Sequence, residues 1–159
     1  MTKKEKNLSL PQVKRQNNQV YKDKKRIVLD QSKLDLDVVF RPSKVNELTA
    51  EFIGLMQQAM KEAKPFDAGA AMGLTVALVI RHFTSIETNA KTYEEHLDML
   101  RQLKDANYLD TIMDAFELSE VERVFEEIQR SITSLTAEVD ASLQKDFAAD
   151  SPAGGQADA

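Results

Sequence analysis

The sequence predicts a mainly α fold: a compact helical domain of about five helices with a small N-terminal β-hairpin and disordered termini. Three observations predict it. Thirteen residues, Ala68 to Ile80, carry no charge and read as one buried helix. Apolar residues on either side of that run recur at three- and four-residue steps, the spacing of helices with one packing face. Between residues 26 and 41 the spacing changes to alternation, the period of a half-buried strand.

The chain begins with a basic leader. Residues 1–26 hold Lys3, Lys4, Lys6, Lys14, Arg15, Lys22, Lys24, Lys25 and Arg26 against Glu5 and Asp23, a net charge of +7. The whole chain is −5, so the remaining 133 residues carry −12. High charge and low hydropathy over residues 1–25 predict a disordered leader, either solvated or lying back on the acidic body of its own or a neighbouring copy. A nucleic-acid-binding arm is the alternative, but only Tyr21 supplies an aromatic and no reading module is present.

The helical domain is expected over residues 26–145, with the hairpin at 26–41. Val28, Leu34, Leu36, Val38 and Phe40 occupy even positions, and Asp30-Gln31-Ser32-Lys33 is turn-like. Two strands alone are marginal, so the hairpin must lean on helices or pair with another chain's edge. Pro42-Ser43 ends the strand and caps a helix from Lys44 to Lys64, whose stripe is Val45, Leu48, Phe52, Leu55, Met56, Ala59 and Met60. Met56 and Met60 are core filler or an adaptable surface for a partner.

Lys64-Pro65-Phe66-Asp67 introduces the central helix, with Asp67 the candidate cap. Gly69, Gly73 and Ala77 form a ridge of small residues, against which a backbone of the same chain or of a second copy is expected to press. At about 1.5 Å per residue the thirteen-residue run is about 20 Å long, too short to cross a bilayer. Residues 87–91 are a polar linker, and Thr92-Tyr93-Glu94-Glu95 fits a capping box ahead of Leu97, Leu100 and Leu103. Asp105-Ala106-Asn107 breaks that helix; Tyr108, Leu109, Ile112, Met113 and Phe116 give a turn or two more. Ser119 precedes a long last helix with one stripe of Val121, Val124, Phe125, Ile128, Ile132, Leu135, Val139 and Leu143. A stripe that long outruns the core of a small domain. Residues 146–159, rich in Ala, Gly and Asp, are expected to be a disordered tail.

The chemistry-bearing residues are few. No cysteine occurs, which excludes disulfides and thiolate metal sites and suits a reducing compartment. No signal peptide or membrane span is visible, so a soluble intracellular protein is expected. Of the two histidines, His82 is placed to neutralise the carbonyl end of the central helix, and His96 to sit on a solvated face among Glu94, Glu95 and Asp98. A helical metal motif would need Glu at 93, which is Tyr, and there is no second His at four-residue spacing. No nucleophile elbow, phosphate-binding glycine loop or dinucleotide motif appears. The expectation is a protein that is not an enzyme and takes no cofactor and no metal.

Three stretches carry a resemblance: RIVLDQSKLDLDVVFRPSKVNEL, ALVIRHFTSIE, and YEEHLDMLRQLKDANYLDTIMDAFELSEVERVFEEI. Over roughly residues 26–140 their order resembles the tail assembly chaperones of long-tailed phages and prophages of Gram-positive bacteria. The basic leader departs from that pattern. The resemblance implies a non-enzymatic role in the host cytoplasm. Such a protein binds the tape-measure protein and itself, keeps that client soluble, helps recruit the tail-tube protein and is absent from the mature virion. It also implies that a longer, frameshifted product is often made. The partner-binding residues expected on this reading are Leu109, Ile112, Met113, Phe116, Phe125, Ile128, Ile132, Leu135 and Val139. A nucleic-acid-associated regulator and a helical structural or adaptor subunit are the other classes the sequence admits.

Overall fold

The computed structural model describes residues 4–155, and their side chains except those of Val139 and residues 145–155. Its elements are α1 (Leu10–Val20), β1 (Lys24–Leu29), β2 (Ser32–Asp37), α2 (Pro42–Lys61), α3 (Ala68–Phe83), α4 (Tyr93–Asp105), α5 (Leu109–Ala115) and α6 (Leu118–Gly155). The mainly α architecture with an N-terminal hairpin is thus the observed one. None of its helices, among the described residues, is long and apolar enough to cross a membrane.

The strands pair antiparallel around a two-residue turn, Asp30-Gln31, in which Asp30 takes φ 58°. Short polar Asp tolerates that left-handed conformation. The turn reverses parity between the strands, so odd positions of β1 share a face with even positions of β2. Ile27 opposite Leu34 therefore faces inward, while Val28, opposite Lys33, is 69% exposed. This corrects the even-numbered face expected for Val28. The outer face holds two cross-strand ion pairs, Lys24–Asp37 and Arg26–Asp35.

The hairpin leans on its own chain. Past α3, the Ser85 amide donates to the Asp35 carbonyl (2.9 Å), and the Asp35 amide donates to Ser85 Oγ (2.9 Å). Leu36 and Thr84 form an antiparallel bridge, so the segment after α3 extends the sheet beyond β2. Phe40, just past β2, is fully buried; its ring stacks on Phe83 (centroids 3.8 Å apart) and meets the edge of Phe116 (5.6 Å). Its amide donates to Glu120 Oε1 (2.7 Å), and its carbonyl accepts from Arg123. One residue thus joins the hairpin to α3, to the end of α5 and to α6.

Helix α2 starts at Pro42, not at a Ser43 cap. Proline has no amide proton to satisfy in a first turn, and its fixed φ suits one. The helix ends at Lys61, with Ala63 at φ 55° and Lys64 donating back to the Ala59 carbonyl, a Schellman closure. Asp67 caps α3 as expected, accepting from the Ala70 amide at 2.8 Å. The same holds for Thr92 at α4, whose hydroxyl accepts from the Glu95 amide and bonds its carboxylate. Asn107, at φ 62°, closes α4 where the break was expected.

Burial in α3 is concentrated in its second half, where Val76, Arg81 and His82 are the half-buried exceptions. Leu74, Ala77, Leu78, Val79, Ile80 and Phe83 are inaccessible, whereas Met72 in the first half is 61% exposed. Of the small-residue ridge, Gly73 faces α4: a Cβ there would lie 3.3 Å from Leu100 and 3.6 Å from Leu97, whereas one on Gly69 would meet the Asp67 side chain at 3.4 Å. Gly73 therefore permits close packing within this chain.

Helix lies within both terminal segments. α1 occupies part of the expected leader and contributes no buried residue. α6 continues through Ala148 and Ala149, strong helix formers, to Gly155 in the expected tail. Residues 1–3 of the leader and 156–159 of the tail lie outside the described residues.

Candidate partner-binding face

Helix α6 lies against α2 and α3. Val121, Val124 and Ile128 are buried in the core, and Phe125 and Ile132 pack half-buried against it. Among the described side chains, Ile132 is the last of α6 to touch that cluster. From there the helix continues 23 residues to Gly155, about 35 Å at 1.5 Å per residue. On this extension Leu135 is half-buried without belonging to the core, and Leu143 is 61% exposed. Val139, between them in the stripe, lies outside the residues whose side chains are described.

The nine expected partner-binding residues therefore divide. Ile112 (0% exposed), Phe116 (7%) and Ile128 (5%) are core residues, unavailable to a partner without unfolding. Their helical spacing is common to both roles, and only the long-range packing on Phe40 and its neighbours separates them. Leu109 and Met113 are half-buried; Met113 lines a shallow groove of about 340 Å³ with Phe116, Leu118 and Val121. Leu118, at its mouth, is 70% exposed. Phe125 and Ile132 are shared between core and surface. Leu135 is the expected residue that the structure leaves most clearly outside the core.

A polar cluster lies elsewhere, and the sequence placed half of it wrongly. His96 is fully buried, not on a solvated face. Its Nδ1 donates to the Thr92 carbonyl (2.6 Å), which leaves Nε2 to accept from Arg81 Nε (3.1 Å). Arg81 also binds Glu51, whose second oxygen bonds His82 Nε2 at 2.7 Å. His82 thus turns its imidazole to α2, while Lys44 Nζ reaches the His82 carbonyl (3.2 Å) at the end of α3. Burial pushes the His82 pKa below its usual 6.5; Glu51 opposes that shift and Arg81 adds to it. The four side chains tie α2, α3 and α4 together. No buried side-chain nitrogen or oxygen is left without a partner among the described residues, so the cluster reads as a satisfied internal fastening. Among the described residues no group of three or more His, Asp or Glu side chains is arranged to hold a metal ion.

Further concave surface lies on the α4 side. One open groove of about 660 Å³ is lined by Ala90, Glu94, Glu95, Asp98, Met99 and Leu103, among others. A second, of about 570 Å³, adjoins it at Leu103 and runs to the hairpin turn at Leu29 and Ser32. Met60 on α2 and Met72 on α3 are exposed by 64% and 61%. Met56, its companion in the methionine pair, is half-buried against the core.

No curated protein and no solved structure matches the chain. One family model does, over residues 10–151, which takes in every element from α1 to all but the end of α6. The chain belongs to the YomO family, a phage- and prophage-associated family.

Proposed function

We propose that this phage-associated protein is a tail assembly chaperone. It lends apolar helical surface to the tape-measure protein in the host cytoplasm, keeps that client soluble while tail-tube subunits gather, and carries out no reaction itself. The observation that supports this reading is the extension of α6 beyond Ile132, which carries the apolar Leu135 and Leu143 past the last core contact among the described side chains. A long apolar client helix fits such a stripe side by side, burying the i, i+3, i+4 rows of both helices. Ser131, Thr133, Ser134 and Thr136 flank Leu135 with small uncharged side chains, and the first charges of the extension come at Glu138 and Asp140. The acidic remainder of the chain keeps a loaded complex dispersed.

The test is co-expression with a tape-measure protein from the same phage genome, scored as the soluble fraction of that client. A client that is insoluble alone and soluble with this chain supports the proposal. A client whose solubility does not change refutes it.

A further inference from the structure

We propose that α1 is a docking arm for a second copy of this chain, and that it seats on the acidic groove along α4. This goes beyond the chaperone reading and requires no client. α1 has eleven residues, none of them buried. A helix below about 12–15 residues is marginal in water without packing, so α1 calls for a surface that its own body does not give it. Leu10, Val13 and Val20 fall on one side of it; Leu10 is 65% exposed and Val20 51%, and Leu8 just before the helix is 76% exposed. Lys14 and Arg15 lie on the same helix, and residues 1–22 carry six Lys or Arg against Glu5 alone. Lys24 and Arg26, by contrast, are already engaged by Asp37 and Asp35 in the hairpin.

The groove along α4 has the complementary character. Its floor includes Ala90, Met99 and Leu103, and its rim carries three carboxylates, Glu94, Glu95 and Asp98, against two cations, Arg101 paired with Asp98 and Lys64 paired with Glu94. At about 660 Å³ and widely open, it admits a helix laid along it. No residue of the same copy's α1 lines it. Tyr21, next to α1, sits beneath the Arg41 guanidinium, 4.7 Å from ring centroid to carbon, at the open end of the hairpin. The groove is joined at Leu103 to the second hollow, which runs to the turn end at Leu29 and Ser32, and β1, from the open end to the turn, spans about 17 Å at 3.3 Å per residue. A second copy carries its arm to that groove without this constraint, and opposite charges steer the encounter.

Sedimentation equilibrium of the full chain, with circular dichroism to confirm folding, tests the proposal. The wild type is expected to self-associate at about 0.15 M salt and to dissociate toward monomer at 1 M, where the Debye length falls from about 8 Å to 3 Å. Leu10→Asp with Val13→Asp, and separately Lys14→Glu with Arg15→Glu, should raise the dissociation constant on the order of tenfold or more. Glu94→Lys with Asp98→Lys should do the same from the groove side. Mixing the two charge-reversed proteins should restore association, which neither shows alone. A monomeric wild type overturns the proposal. So does association that survives the arm variants but is lost in Leu135→Asp, which would place the copy-to-copy contact on α6. Arm variants that keep association but lose duplex DNA in a gel shift overturn it in favour of a nucleic-acid arm.

Discussion

Replacing Phe40 with alanine tests whether one residue holds the hairpin to the helical body. Phe40 is fully buried, with Phe83 on one face and Phe116 at its edge. Removing its ring uncovers on the order of 150 Å² of buried surface, or about 4 kcal/mol at 25 cal/mol per Å². Loss of the two aromatic contacts adds about 1 kcal/mol. The sum, about 5 kcal/mol, is at the upper end of the range for buried Phe→Ala changes. It is comparable to the whole stability of many domains of this size, about 5–15 kcal/mol. Urea unfolding followed by circular dichroism should show a large fall in midpoint with an unchanged slope. Val28→Ala, on the outer face of the same hairpin, should stay within about 0.5 kcal/mol of wild type. A Phe40→Ala cost below about 1 kcal/mol, or one equal to that of Val28→Ala, would refute the placement of the core.

Two further outcomes follow from the polar cluster. Because the folded His82 pKa lies below 6.5, the unfolded chain takes up a proton that the folded chain refuses between those values. His82 should therefore make stability decline as pH drops through about 6.5 and level off below its folded pKa; His82→Gln should remove that part of the pH dependence, and an unchanged midpoint-against-pH curve would contradict it. Glu51→Ala leaves Arg81 and His82 without their shared acceptor, and with these side chains 14–28% exposed the expected loss is about 1–3 kcal/mol. Asp98→Ala, which breaks the exposed Arg101 pair, should cost less than about 1 kcal/mol by the same unfolding assay.

Local signals in the sequence proved sufficient where the cause of the structure is local. The Asp67 cap, the Thr92–Glu95 capping box and the break at Asn107 each depend on three or four neighbouring residues, and each is where the sequence puts it. The face of Val28 was not legible, because a two-residue turn sets the register and reverses parity between strands. The burial of His96 is not legible for a different reason. Its sequence neighbours are acidic, but the groups that bury and satisfy it, Arg81 and Glu51, lie 15 and 45 positions away. The partner-binding face was legible only in outline. The stripe from Val121 to Leu143 is continuous in sequence, and nothing in its period marks Ile132 as the point where the core ends. α1 was hidden by the charge of residues 1–25, which outweighed Pro11 in the first turn of a possible helix.

Client solubility separates core from docking surface on α6 most directly. Leu135→Asp with Leu143→Asp changes the extension and leaves the core cluster untouched. Co-expressed with the tape-measure protein, this variant should fold with wild-type stability yet leave the client in the insoluble fraction. A client kept as soluble by the variant as by the wild type would contradict the role assigned to the far end of α6.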